Sequence, residues 1–292
     1  MLYHAVPDLS LVDRYYDKII ITNKYMAPLN ILISYQFFED QLPVLERLKS
    51  QGKVTSMFLD SGTFSDNPDG YNPGTSDKFA TYLWWVKKIG RHFDYISSLD
   101  DWFHDPAHNR NNYEELLGEL LQHDNDNGTQ LASKLVPVIH SAEPHANPAE
   151  EFYEYIEAGA KTIGIGSTPQ ISDRAMESIC ELTDAFKVRV HMYGNYDMKY
   201  LAHFKVNSAD SARYFRSREK GNGAWFWDSE NNRPVLWNLD SPETMPVEFT
   251  DTLQNIFKWT VEDLRADAGN VWLLNIYSHQ QLQAFITSTF AI

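Results

Sequence analysis

Short apolar runs alternate along this chain with stretches whose apolar residues recur at helical spacing. The first run is Asn30-Ile-Leu-Ile-Ser-Tyr-Gln36. Leu42, Val44, Leu45 and Leu48 then predict a helix from Gln41 to Ser50. Ser56 to Asp60 reads as a strand, Ser65 to Ser76 as a turn-rich loop, Asp77 to His92 as a helix and Phe93 to Asp100 as a strand. Tyr113, Leu116, Leu117, Leu120 and Leu121 fall on one helical face, and Asp124 to Thr129 reads as a polar turn. The rhythm repeats with strands at Lys134 to Ile139, Thr162 to Gly166, Arg189 to Tyr193 and Val206 to Ser208. Helices are expected between them at Pro148 to Ala158, at Ser172 to Phe186 with Ser172 as N-cap, and at Asp197 to Phe204.

Strand–helix units joined by short connections imply parallel strands and right-handed crossovers. Seven such strands suit an α/β fold of the (β/α)8 barrel type better than an open sheet. No Gly-x-Gly-x-x-Gly follows the first run, which speaks against dinucleotide binding. The pattern changes after Phe215. Ala224 to Trp227 and Pro234 to Trp237 flank a polar turn and predict a β-hairpin, and Thr250 to Leu264 and Trp272 to Thr287 read as closing helices. No long linker interrupts residues 1–292, so a single domain is expected.

Composition narrows the function. The 292 residues are 43% hydrophobic and 14% aromatic, too rich for a disordered chain. No apolar run approaches membrane-spanning length, and the first residues lack a basic and apolar leader, so a cytoplasmic protein is expected. The one cysteine, Cys180, lies in an apolar helical pattern and reads as an inert thiol. Forty acidic against 25 basic side chains give a charge of −15, which argues against a broadly basic nucleic-acid binder but not against a local basic stretch.

Reactive groups of such barrels sit at the C-terminal ends of the strands. Those ends carry Asp60, Asp100 with Asp101, His140, Gly164 and Gly166, Gly194 and Asp210. A single aspartate there is more commonly a turn or cap residue. Several converging on one mouth can serve a glycosidic carbon as nucleophile and acid/base, or hold Mg²⁺. Gly164 and Gly166 would let a planar ligand approach the backbone, or simply form a tight turn. Phe64, just beyond Asp60, is a candidate for stacking on a base.

These segments resemble the tRNA-guanine transglycosylases, in particular their DNA-modifying relatives, the DpdA family of deazapurine DNA modification proteins. Phe58-Leu-Asp-Ser-Gly-Thr-Phe-Ser65 is similar to the family's Asp-Ser-Gly-Gly-(Tyr/Phe)-Gln segment, and Ser98-Leu-Asp-Asp101 to its base-binding Phe-Asp-Glu. His191-Met-Tyr-Gly194 resembles Leu-Met-Gly-Val-Gly, and Val206-Asn-Ser-Ala-Asp-Ser211 resembles Val-Asp-Met-Phe-Asp-Cys. Lys220 to Asp228 and Leu274 to Phe285 extend the likeness, which covers roughly Val54 to Asp228 plus Trp272 to Ser288. The family's Cys-x-Cys-x-x-Cys…His zinc site has no counterpart in Ser241 to Lys258, and His140 stands where the family has a base-reading Gln.

The resemblance implies a DNA-guanine transglycosylase that exchanges guanine in duplex DNA for a 7-deazaguanine base, preQ0 or a relative. It implies Asp210 as nucleophile and Asp60 as general acid/base. Base contacts would come from Asp100, Asp101, Ser61 and His140, with Phe64 and Met192 sandwiching the ring and Gly164, Gly166 and Gly194 offering backbone. No metal or cofactor is needed for base exchange. The target guanine would leave its stack, with Arg213, Arg216, Arg218 and Lys220 on the phosphates, unless these line a solvated helix face. A tRNA-directed enzyme without zinc, a non-catalytic transglycosylase-like subunit and a Mg²⁺-dependent hydrolase on Asp60, Asp100 and Asp101 are the alternatives. Aromatic-rich segments are compatible with a homodimer.

Overall fold

The computed structural model describes residues 1–21, 27–37, 41–63, 76–101, 105–140, 148–166, 172–195, 201, 203–204, 206–211, 223–241 and 245–290. Nine strands form one sheet: β1 (Leu2–Ala5), β2 (Leu29–Ser34), β3 (Val54–Asp60), β4 (Tyr95–Ser97), β5 (Leu135–Val136), β6 (Val138–His140), β7 (Thr162–Gly166), β8 (Arg189–Met192) and β9 (Ser208–Ser211). Their order is β5-β4-β3-β2-β1-β9-β8-β7-β6. Registers such as Phe58 opposite Tyr95, Ile96 opposite Leu135, His140 opposite Gly166 and His191 opposite Ser208 run parallel. The two ends of this order, β5 and β6, are halves of one stretch broken only at Pro137, which has no N–H to give. Ser98 N–H donates to Val136 O at 2.8 Å on one side, and Gly164 N–H to Pro137 O at 2.8 Å on the other. Counting the broken stretch once gives the eight staves of a (β/α)8-type barrel.

The stave not foreseen is β1. It is four residues long, and Pro7 and Asp8 follow closely, so it offers too little alternation to read as a strand.

Contacts divide the chain into two compact units. The first comprises Met1–Tyr3, Ile31–Glu39 and Ser56–Asp210. Its helices are α3 (Ser76–Ile89), α4 (Pro106–Asn127), α5 (Pro148–Glu157) and α6 (Asp173–Phe186), which follow α1 (Ser10–Ile21) and α2 (Leu42–Ser50) in the chain. Each buries one apolar face, for example Tyr82, Val86 and Ile89 of α3 and Tyr113, Leu116 and Leu120 of α4. Asp105 caps α4 by accepting from His108 N at 3.0 Å, and Pro106 occupies its first turn, where no N–H is missed. The polar turn expected from Asp124 is still helix. The stop comes at Gly128, whose φ of 66° ends α4, while Asp124 accepts from Leu131 and Ala132 N–H. Ser172 caps α6 as expected, accepting from Ala175 N. Inside the ring, Tyr3, Phe58, Tyr95 and His191 pack as a layer of rings, with Phe58 at 4.6 Å from His191 and 5.4 Å from Tyr95.

The second unit comprises His4–Asn30, Asp40–Thr55 and Ser211–Ile292. It holds α1, α2, the hairpin β10 (Gly223–Asp228) and β11 (Arg233–Asn238), α7 (Val247–Thr252), α8 (Val261–Ala266) and α9 (Ala268–Phe290). Buried Asn275 and Ser278 of α9 grip the hairpin backbone at Trp225, accepting from its N–H at 2.8 Å and donating to its carbonyl at 2.7 Å. Tyr15 of α1 donates to Gln280 of α9 at 2.7 Å. The single helix expected from Thr250 to Leu264 is two pieces. A π-helical turn ends at Lys258 with φ 59°, and Thr260 opens α8 through a capping box with Asp263. Part of the helix expected at Asp197 to Phe204 lies outside the described residues.

Candidate active site

Within the first unit, parallel staves bring their C-terminal ends to one mouth. β3 ends on Asp60, β6 on His140 and β7 on Gly166, Asp100 follows β4, and Asp210 lies in β9. Asp60 accepts from Gly62 N–H at 3.0 Å. Gly62 has φ +69°, and a Cβ there would stand 2.5 Å from Ser34 Oγ, so this turn takes glycine alone. Burial pushes the Asp60 carboxyl up to about 7, and the charges of Asp100 and Asp210 push the same way, against the N–H groups of Gly62 and Ser61. Those influences place the three acids close enough to feel one another.

Asp100 is buried and held on both oxygens. Ser61 Oγ donates to Oδ1 at 2.8 Å, and His140 Nε2 lies 2.8 Å from Oδ2. Burial raises this carboxyl, but His140 and Ser61 together outweigh it and leave it below its usual value. The His140 ring stands where a side chain at 166 would be: a Cβ on Gly166 would meet its Cε1 at 2.5 Å. Likewise a Cβ on Gly164 would strike the Tyr193 ring, whose hydroxyl is paired with Ser97 Oγ. Both glycines are therefore occupied by neighbouring rings, which accounts for them without a ligand.

Asp210 is 5% exposed. Its Oδ1 lies 3.2 Å from His191 Nε2 and accepts from Gly194 N–H at 3.1 Å. His191 Nδ1 faces Ser208 Oγ at 2.9 Å. Gly194 reaches Asp210 through a φ of +68° in the turn after β8.

The structure thus gathers Asp60, Ser61, Asp100, His140, Gly166, Gly194 and Asp210 around one mouth. Asp101 is directed elsewhere. Its Oδ1 accepts from Asn112 at 2.8 Å and lies 3.1 Å from His108 Nε2, both on α4. Met192 is fully buried, and strand alternation turns it to the face opposite its neighbour His191. Phe64, Arg213, Arg216, Arg218 and Lys220 lie outside the described residues. His191, Ser208, Tyr193 and Ser97 were not singled out from sequence. The available signal was period-2 spacing, since His191-x-Tyr193 and Ser208-x-Asp210 place each pair on one face of adjacent staves.

Cys180 gives its Sγ–H to Phe204 O at 3.2 Å, and burial pushes its thiol up to about 11, so it is a poor nucleophile. Among the described residues, no group of three or more His, Cys, Asp or Glu is placed to share a metal ion, and no helix is long and apolar enough to cross a membrane.

No protein-family model matches the chain, and no curated protein matches it. Among solved structures, KGPDC from Streptococcus mutans superposes with a TM-score of 0.42 at 10% identity, covering 73% of this chain and 87% of that one. A likeness at that distance says nothing about chemistry.

Proposed function

We propose that this protein exchanges guanine in DNA for a 7-deazaguanine base, preQ0 or a relative, through a covalent glycosyl intermediate on Asp210. The observation that carries this reading is a pair of carboxyls in one mouth, one with its proton affinity raised and one anchored through a single oxygen. Asp60 is pushed up to about 7, in the range where it can give and take a proton at neutral pH. Asp210, in the same mouth, is anchored through Oδ1 by the Gly194 N–H and the His191 ring, which holds its carboxyl in place for attack on a sugar carbon.

In the first half-reaction an Asp210 oxygen bonds to C1′ as the C1′–N9 bond breaks. The bond's electron pair leaves with guanine, and Asp60 supplies the proton. In the second half, Asp60 takes the proton from the incoming base, whose nitrogen displaces Asp210 from C1′. No oxidant or metal enters the balance. Asp100, held by Ser61 and His140, faces the mouth as an acceptor for the amino and ring N–H edge of the base. The resemblance read from the sequence supplies the substrate class, and the missing cysteine cluster favours DNA over tRNA.

The test is incubation of the purified protein with duplex DNA or tRNA and preQ0, followed by nucleoside mass spectrometry. A deazaguanine nucleoside is expected in DNA, unaffected by EDTA and absent with Asp210→Asn. Incorporation into tRNA alone would redirect the substrate. Incorporation into neither, or full activity in folded Asp210→Asn, would overturn the reading.

A further inference from the structure

Asp210 has two oxygens, and among the described residues its bonds fall on one: Oδ1 takes both the His191 contact and the Gly194 N–H, while none falls on Oδ2. The imidazole that holds Oδ1 is itself fixed from every side. It is 0% exposed and lies against Phe58 at 4.6 Å, Tyr193 at 4.6 Å and Tyr3 at 5.7 Å. Its other nitrogen faces Ser208 Oγ at 2.9 Å. This follows from the sheet: His191 is the register partner of Ser208, and Ser208 and Asp210 share one face of β9. A carboxylate oxygen can only accept, so Nε2 carries a proton; in the neutral ring Nδ1 is then bare and takes the Ser208 hydroxyl as donor.

We propose that His191, held in its Nε2–H tautomer by Ser208, is a positioning residue that anchors Oδ1 of Asp210 and presents Oδ2 as the oxygen that attacks C1′. The assignment rests on the transglycosylase reading and adds to it which oxygen reacts and what aims it. His191 is 0% exposed and so out of reach of a base or sugar in the mouth; its loss acts on the rate of bond formation at C1′ and not on base binding.

The experiment is exchange of radiolabelled guanine into guanine-containing duplex DNA and into tRNA, with kcat and KM for guanine measured for the unaltered protein and for His191→Leu, His191→Gln and Ser208→Ala, each checked for folding by its thermal melt. His191→Leu is expected to lower kcat roughly a hundredfold, the cost of a misaimed reacting group. KM for guanine should stay within about threefold, since base contacts are intact. Gln, which can return an N–H near the Nε2 position, should recover at least about tenfold of the lost kcat. A folded His191→Leu with wild-type kcat overturns the assignment, as does a folded Gln variant no faster than Leu. Should His191→Leu fail to fold, Ser208→Ala decides. A lower kcat at unchanged KM is expected there, and wild-type kcat overturns the proposal. No exchange by the unaltered protein on either polymer overturns the transglycosylase reading, and this assignment with it; exchange by the unaltered protein with undiminished variants overturns this assignment alone.

Discussion

Asp60 shows how far one side chain can be set against the stability of its surroundings. Its folded value of about 7 lies above the 3.8 of the free group, so between those values the folded protein holds a proton that the unfolded chain releases. Its contribution to stability is complete below 3.8 and is lost as pH rises through about 7. Asp60→Asn is therefore expected to slow both half-reactions yet raise the melting temperature at pH 8, by roughly 2–4 °C for each kcal/mol recovered. Scanning calorimetry beside the exchange assay checks both, and a lower melting temperature at pH 8 would refute the assigned cause. At this scale the sequence showed which acids end the staves, because strand ends can be read from apolar runs. It did not show the state of each acid. Asp101 has the same chemistry as Asp100 and is its neighbour, but helix α4 claims it through His108 and Asn112. Nothing in the order Leu-Asp-Asp says which of the two turns to the mouth.

At the scale of elements, close packing ties positions together that the sequence presents as separate. Gly166 of β7 leaves the space that the His140 ring of β6 fills. Gly166→Ala is expected to displace that ring, weaken its hold on Asp100 and cost about 1–3 kcal/mol of stability. The measurable result is a raised KM for the incoming base with a smaller change in kcat; an unchanged KM would mean that His140 does not shape base binding. Helix α5 carries a second out-of-range acid. Glu151 is buried with no hydrogen-bond partner for Oε2 among the described residues, and burial pushes it up to about 8. Glu151→Gln should raise the melting temperature at pH 9 and leave it nearly unchanged at pH 4, since the penalty on a charged Glu151 is absent at low pH. Equal shifts at both pH values would count against that account. Elements with a long helical face or a clean apolar run were legible, such as α4, α6 and β7. Those set by a cap or a single backbone turn were not: the break at Lys258 and the four-residue β1 leave almost no periodic trace.

For the molecule as a whole, the titrating groups oppose each other across neutral pH. Asp60 and Glu151 make the fold less stable as pH rises toward 8. In the second unit, His4 and His279 face each other through Nδ1 atoms 2.8 Å apart, a contact that needs one bare nitrogen. Burial pulls His4 down to about 3 and His279 well below its usual value. Lowered histidines contribute fully above 6.5 and lose that contribution as pH falls toward about 3. Maximum thermal stability is therefore expected at roughly pH 5–6, acid of neutrality. That is also where the charge of −15 fades, since the chain's isoelectric point is about 5.0. A melting-temperature series from pH 4 to 9 with its peak above 8 would contradict this ordering. The closed ring also sets a schedule for synthesis. β1 gains its second neighbour only through β9, where Ala209 N–H donates to Met1 O, so the first stave waits for residues some two hundred positions later. At roughly 5–20 residues per second the nascent chain leaves the ribosome with an open edge for about ten seconds or more. The stave that finally seals that edge is the one carrying Asp210, so a growing chain cannot possess that carboxylate before it has the means to close its barrel.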